Sequence, residues 1–313
     1  MKRSTCVRLL AGLALVAVVP LTAPAMAQQQ DFSKVEIKVV PAAGNIYMLQ
    51  GAGGNIGVSA GSDGILIVDD QFAPLAEKIR AALKGINQGK LKFVLNTHWH
   101  GDHTGGNATF GAEAPIIAQE NVRKRLMTPQ HIRGENIPPS PAEALPVVTF
   151  QESVTVYFNG EEIRVIHYPH GHTDGDSVIF FTKSNVVHMG DDFFAGRFPF
   201  VDLESGGSVQ GVTAGVEKVL AQIPADAKVI PGHGPLSTVA DLKAYHHMLI
   251  ETTAIVQKQI KAKKTLAQIQ ADGLAAEWKD WGSGFIDTKT WIETIYNSLT
   301  QKMPDHPADT THH

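Results

Sequence analysis

The sequence predicts an α/β unit in which two sheets pack face to face with helices on their outer surfaces. Two observations carry that prediction. Short β-like runs between Gly-rich turns are followed by a helical stretch, and the same succession then occurs a second time. Histidines and aspartates cluster directly after several of those runs, as side chains do where a rigid scaffold presents a functional rim. With 313 residues, 43% of them hydrophobic and 19% charged, the chain is long enough to bury a large core as one domain or two fused halves.

The elements follow in order. Residues 35–40, 45–49, 55–60 and 65–68 read as short strands of an antiparallel opening. Pro74 starts a helix that reaches about Asn87, in the first turn where a missing N–H does no harm. Residues 91–95 form a strand, 116–118 another, and 120–127 a short helix. Residues 128–146 carry five prolines and mixed charge, and read as a long loop, either over a site or as a surface excursion. Runs 154–158 and 163–168 flank Asn159-Gly160, a hairpin signal, and 177–182 with 186–189 form a second pair. Residues 228–230 make one more short strand, and helices are predicted at 208–222, 239–259, 266–271 and 288–301.

The chemistry concentrates after residue 95. Asn96 to Asn107 reads Asn-Thr-His-Trp-His-Gly-Asp-His-Thr-Gly-Gly-Asn, which places three imidazoles and a carboxylate between His98 and His103. A strand ending there throws His98 and His100 to the same side, and a turn at Gly101 lets Asp102 and His103 face a second point. Neutral imidazole and carboxylate are ligands of first-row metals, with Zn²⁺ the default for a nitrogen and oxygen set. Further candidates recur downstream in Gly-rich settings: His172 in Gly-His-Thr, Asp191 in Gly-Asp, and His233 in Pro-Gly-His-Gly. Trp99 lies between two of these candidates and reads as packing or as a wall of the site. His167, His170, His188, His246 and His247 fall off the pattern.

These four motifs, in this order, resemble the metallo-β-lactamase superfamily over most of the chain beyond residue 27. The resemblance implies an αββα four-layer sandwich. It also implies a first metal at His98, His100 and His172, and a second at Asp102, His103 and His233, with Asp191 bridging or leaning to the second. Two Zn²⁺ ions are the implied cofactors, iron or another divalent metal being the alternative, with a hydroxide between them that Asp102 orients. Asp69 matches the acidic residue that supports a ligand from behind, and Asp70 is the alternative. The implied activity is hydrolysis of a carbonyl substrate, β-lactam or β-lactam-like with weak turnover. A lactonase or thioesterase of the same fold, or an iron oxidoreductase, is the alternative. The best-known β-lactamase subgroup has cysteine at the position of Asp191 and a carboxylate-binding lysine where Phe194 stands here. Arg197 is the candidate replacement cation.

Residues 1–27 have a basic start, an apolar stretch too short to span a membrane, and Ala-Met-Ala before three glutamines. They read as a secretory signal peptide, which implies a periplasmic or secreted protein. Cys6, the chain's one cysteine, lies inside that segment, so the mature domain, expected over 28–303, has no thiolate and no disulfide. Losing Lys2, Arg3 and Arg8 with no acid moves the formal charge from −4 to −7, which leaves no electrostatic footprint for nucleic acid. The expected partner is a small-molecule substrate, with no membrane after cleavage. Residues 304–313 are expected to be a disordered tail.

Overall fold

The structure, a computed structural model, describes residues 31–300. The expected signal peptide and the 304–313 tail lie outside the described residues. In chain order the elements are β1 (Lys38–Ala43), β2 (Ile46–Gln50), β3 (Ile56–Gly61), β4 (Gly64–Val68), α1 (Ala76–Ile86), β5 (Leu91–Leu95), α2 (Gly101–Thr104) and α3 (Asn107–Phe110). Next come β6 (Ile116–Gln119), α4 (Glu120–Leu126), β7 (Gln130–Ile132), β8 (Glu135–Ile137), β9 (Val148–Phe150), β10 (Ser153–Phe158), β11 (Glu161–His167), β12 (Ser177–Phe181) and β13 (Val186–His188). The chain closes with α5 (Val209–Leu220), β14 (Lys228–Ile230), β15 (Ser237–Thr238), α6 (Val239–Lys261), α7 (Leu266–Asp272) and α8 (Thr288–Thr300).

One sheet runs β1-β2-β3-β4-β5-β6-β9 and the other β10-β11-β12-β13-β14-β15. The period of two along each central strand sorts its side chains into layers. On β4, Leu66 and Val68 join a core shared with Ile163, Val165, Ile179 and Phe181 of the second sheet, while Ile65 and Ile67 pack under Ile79 and Leu83 of α1. On β12, Ile179 and Phe181 face the first sheet, and Val178 and Phe180 face Val212, Val216, Leu242 and Ile295 of α5, α6 and α8. Strands buried on both faces need cover on both, so the helices lie outside and the architecture is αββα.

Two expectations are corrected. The first strand is Lys38–Ala43 rather than 35–40, because the tight turn at Gly44 pairs Ala43 with Ile46 and, past a bulge between Pro41 and Ala43, the ladder continues to Lys38↔Gln50. Residues 128–146 are not a structureless loop: β7 and β8 pair across Arg133 and Gly134, both at positive φ (52° and 83°), and Ala142–Ala144 forms a 3-10 turn. Arg-Gly suits a two-residue hairpin turn, although it is a weaker signal than Asn-Gly.

Topology positions the site. β4 and β5 are parallel neighbours in one sheet, and β13 and β14 in the other. Asp69 follows β4, the His98–His103 run follows β5, Asp191 follows β13 and His233 follows β14.

Candidate metal centre

After β5 the chain bends through Thr97, His98 and Trp99, is extended at His100 and then makes one helical turn, α2, in which His103 and Thr104 both donate their N–H to the His100 carbonyl (3.0 Å each). That turn separates the run into two groups. His98, His100, His172 and Asp191 converge in one; Asp102, His103 and His233 converge in the other; within each group the donor atoms lie within 4.8 Å of one another. Asp191 faces both. Its Oδ1 is 3.1 Å from His103 Nε2 and 3.3 Å from His233 Nε2, and its Oδ2 is 3.6 Å from His172 Nε2 and 3.9 Å from His98 Nε2. Asp102 Oδ2 lies 3.3 Å from His233 Nε2.

Each buried imidazole is held from behind, and the partner fixes its tautomer. Asp69 accepts from Thr97 N–H (2.8 Å), from Thr97 Oγ1 (2.7 Å) and from His103 Nδ1 (2.7 Å). Because the Thr97 hydroxyl proton goes to Asp69, His98 Nδ1–H donates to Thr97 Oγ1 (3.0 Å). His172 Nδ1–H donates to the Phe200 carbonyl (2.8 Å), and His100 Nε2–H to Asp202 (2.9 Å). Those bonds turn His98 Nε2, His100 Nδ1 and His172 Nε2 toward the first group. His103, buried between Asp191 and Asp69, is held well above the ordinary imidazole pKa against the cost of that burial, and its proton is one that a metal ion must displace. Asp69 thus touches a site histidine, whereas Asp70 accepts Gly106 N–H (2.8 Å) and braces the loop. Asp202, Thr97 and the Phe200 carbonyl carry no motif of their own, and sequence reasoning missed them.

The donor set fits metal ions. His172 Nε2 and His100 Nδ1 face each other at 2.9 Å while the other nitrogen of each ring is already bound, and His98 Nε2 is buried with no hydrogen-bond partner. Buried ring nitrogens crowded together or left without a partner in this way are costly without a shared cation. Burial holds His98 well below the ordinary imidazole pKa and His172 down to about 4, so both stay neutral. In the second group burial opposes the charged form, but Asp191 and Asp102 outweigh it and raise His233 to about 9. The same burial pushes Asp102 up, yet His103 and His233 bring it down to about 2.

A linkage follows from those shifts. At pH 7 His233 carries a proton in the metal-free protein, and a metal ion must displace it. Affinity of the second group is therefore expected to rise with pH up to about 9, by up to tenfold per unit for each proton displaced. Isothermal titration of metal-free protein at pH 7 in buffers of different ionisation enthalpy measures the protons released; a buffer-independent enthalpy would refute it. Since the pKa is raised, the same proton stabilises the metal-free fold below about pH 6.5, and that stabilisation is lost as pH rises through about 9.

Two glycines let the walls close in. A Cβ at Gly54 would collide with the His103 ring, and one at Gly232 with Asp191 Oδ1. The Gly51–Gly54 run is tied down: Gly54 N–H donates to the Asp102 carbonyl (3.0 Å) and its own carbonyl accepts from Gln71 (2.7 Å). Gly54→Ala is expected to displace His103 and weaken binding of one metal equivalent by about 10–100-fold, the cost of disturbing a ligand's support. Equilibrium dialysis measures it, and unchanged affinity for two equivalents would show that the ring relaxes freely.

The remaining expected residues are placed as follows. Phe194 is buried and stacks on His233, ring centroids 5.0 Å apart and planes at 19°. Arg197 belongs to neither group; its stem lies against Gly284. Trp99 is 4% exposed and packs with Val122 and Leu126 under α4, edge-on to His100. His188 bridges the Asn55 carbonyl (3.0 Å) and Gly190 N–H (3.1 Å), steadying the turn before Asp191.

Residues 39–233 match the family model of the metallo-beta-lactamase superfamily, with every member of both groups inside the matched span. This chain belongs to that superfamily. The two His/Asp groups are compatible with a dinuclear metal site of this superfamily's fold. An uncharacterized protein of Aquifex aeolicus is 28% identical over 176 residues, 55% of this chain and 80% of that protein. A hydroxyacylglutathione hydrolase of Prochlorococcus marinus (strain NATL1A) is 27% identical over 184 residues, 55% of this chain but only 64% of the relative's length. Among solved structures, DIM-1 metallo-beta-lactamase superposes with a TM-score of 0.57 at 19% identity, covering 69% of this chain and 98% of that one; this likeness is one of fold.

Proposed function

We propose that the protein is a dinuclear zinc hydrolase of activated acyl bonds, thioester first among them. The observation that carries this reading is Asp191, whose two carboxylate oxygens face the two donor groups separately. A metal pair held there supplies a hydroxide nucleophile at neutral pH and polarises the substrate carbonyl. The chain's own residues then do three things. Asp69, Thr97, Asp202 and the Phe200 carbonyl hold the imidazoles in their donor tautomers. Asp102 keeps its carboxylate ionised beside His233 and is the group placed to orient water and take its proton. Phe194 and Phe200 supply apolar walls against His233, His172 and His100.

Thioester substrates lead because several curated relatives, at 27% to 36% identity, are named hydroxyacylglutathione hydrolases. β-Lactams rank lower. Where a carboxylate-binding lysine would stand, Phe194 stacks on His233, so a charge-assisted bond worth about 1.5–3 kcal/mol is missing. β-Lactam kcat/KM is therefore expected to fall at least about tenfold below thioester kcat/KM, through a high KM. The test is metal analysis of the purified protein followed by thioester, lactone, β-lactam and phosphoester substrates. Colour and iron in place of zinc, or phosphoester turnover alone, would overturn the reading. Efficient β-lactam hydrolysis that Arg197→Ala abolishes would instead assign Arg197 the substrate carboxylate. The N-terminal segment adds a periplasmic or secreted location to this proposal, which fractionation of the native host tests.

A further inference from the structure

Against Phe200 and Asp202 lies a cavity of about 260 Å³ bordered also by Arg133, Glu204, Thr290 and Glu293, among others. Phe200 is its shared wall: the ring sits 5.9 Å from His100 and 5.7 Å from His172, and its other neighbour is Arg133, whose Cζ is 5.7 Å from the ring centroid. The guanidinium also lies over Phe285, at 4.3 Å. Two aromatic faces that hold a guanidinium orient it and leave its edge donors open. The tip is fixed from the backbone as well, by the left-handed turn at Arg133 and Gly134 and by His131, which binds Glu204 (2.8 Å) and ties β7 to the segment that carries Phe200.

The acids of the cavity are not competing for this cation. Asp202 is committed to His100 (2.9 Å) and Ser205 N–H (3.0 Å), and Glu204 to His131. Among the described residues Arg133 forms no ion pair with any carboxylate, Glu293 across the cavity included. A planar, permanently charged fork that is exposed, has no carboxylate partner and lies beside an aromatic ring that touches the metal-site histidines is a receptor for a carboxylate.

We propose that Arg133 is a specificity-determining residue that binds a carboxylate at the distal end of the acyl substrate. This rests on the hydrolase reading above and narrows its substrate class. The scissile carbonyl lies at the two donor groups, the apolar body of the acyl chain crosses the Phe200 ring, and the distal carboxylate pairs with the guanidinium. A carboxylate adjacent to the scissile bond, as in a β-lactam, is too short to cross that ring.

Binding measured without turnover separates this proposal from the hydrolase reading. The as-purified protein is titrated with 4-phenylbutyrate and with its neutral amide, 4-phenylbutyramide, by calorimetry or ligand-observed NMR. Arg133→Ala is expected to weaken the carboxylate at least about tenfold and leave the amide unchanged, the loss of a charge-assisted bond. Arg133→Lys is expected to restore part of the difference, since it returns the charge without the planar fork. Equal carboxylate affinity in parent and Arg133→Ala, equal losses for acid and amide, or no carboxylate binding by the parent would overturn the proposal. Failure to hydrolyse any acyl substrate would sink the hydrolase reading and leave these titrations decisive for Arg133.

Discussion

Asp191→Ala is expected to abolish hydrolysis and to weaken the second metal equivalent far more than the first. The carboxylate is the one group whose oxygens face both donor groups, 3.1 and 3.3 Å from the second and 3.6 and 3.9 Å from the first. Loss of a group that merely supports a ligand costs about 10–100-fold in metal affinity, so loss of a direct bridging donor should exceed that range. A second readout is independent of activity. Asp191 is the leading charge that raises His233, so its removal lowers that pKa and reduces the protons released when metal binds at pH 7. Asp191→Cys keeps a donor at the same point and should retain two metals. Equilibrium dialysis with metal analysis measures both variants; two ions held by Asp191→Ala as tightly as by the parent would reduce Asp191 to a turn residue.

His98→Ala and His172→Ala should each take the bound metal from two equivalents to one. Polarisation of the carbonyl is worth several kcal/mol, so turnover should fall by roughly 10³-fold or more. Both should remain folded, because the core is built from two sheets and their covering helices rather than around the site. His98 is the cleaner variant: it gives up one hydrogen bond to a Thr97 hydroxyl that stays bound to Asp69, whereas His172→Ala leaves the Phe200 carbonyl without its donor. A thermal melt close to the parent's, with one metal lost, is the expected pair of results. Unchanged stoichiometry in both variants would remove these residues from the site.

The two Asp-Asp pairs in this chain show where sequence reasoning stopped. Asp69-Asp70 offered two equivalent candidates for the residue behind a ligand. The structure separates them through the left-handed backbone at Asp69 (φ 64°), which turns one carboxylate under Thr97 and His103 while its neighbour braces Gly106. Asp191-Asp192 was legible, because Gly-Asp after a β-like run matched a motif. Asp202 was not, since it sits between Val201 and Leu203 in a segment with no periodicity and no metal-ligand motif, and its role appears only when the loop folds back on His100. Arg133 was hidden for a related reason: a proline-rich stretch masked the hairpin that carries it, and Phe200, which it meets, lies far along the chain.

The sequence by itself determined the layered α/β class, most of the strands and helices, and the seven donors of the two groups. Those follow from local rules: alternation of two in strands, Gly and Pro at turns, and imidazole and carboxylate in fixed spacing. Tertiary structure alone decided which atom of each imidazole is the donor, which aspartate supports which histidine, and how Asp191 divides its oxygens. Those depend on contacts between residues such as Thr97, Asp202 and His233 that meet only when two parallel strand pairs, one in each sheet, bring their following loops to one place. A hydrogen bond fixed across a hundred residues of chain leaves no trace in the spacing of either partner.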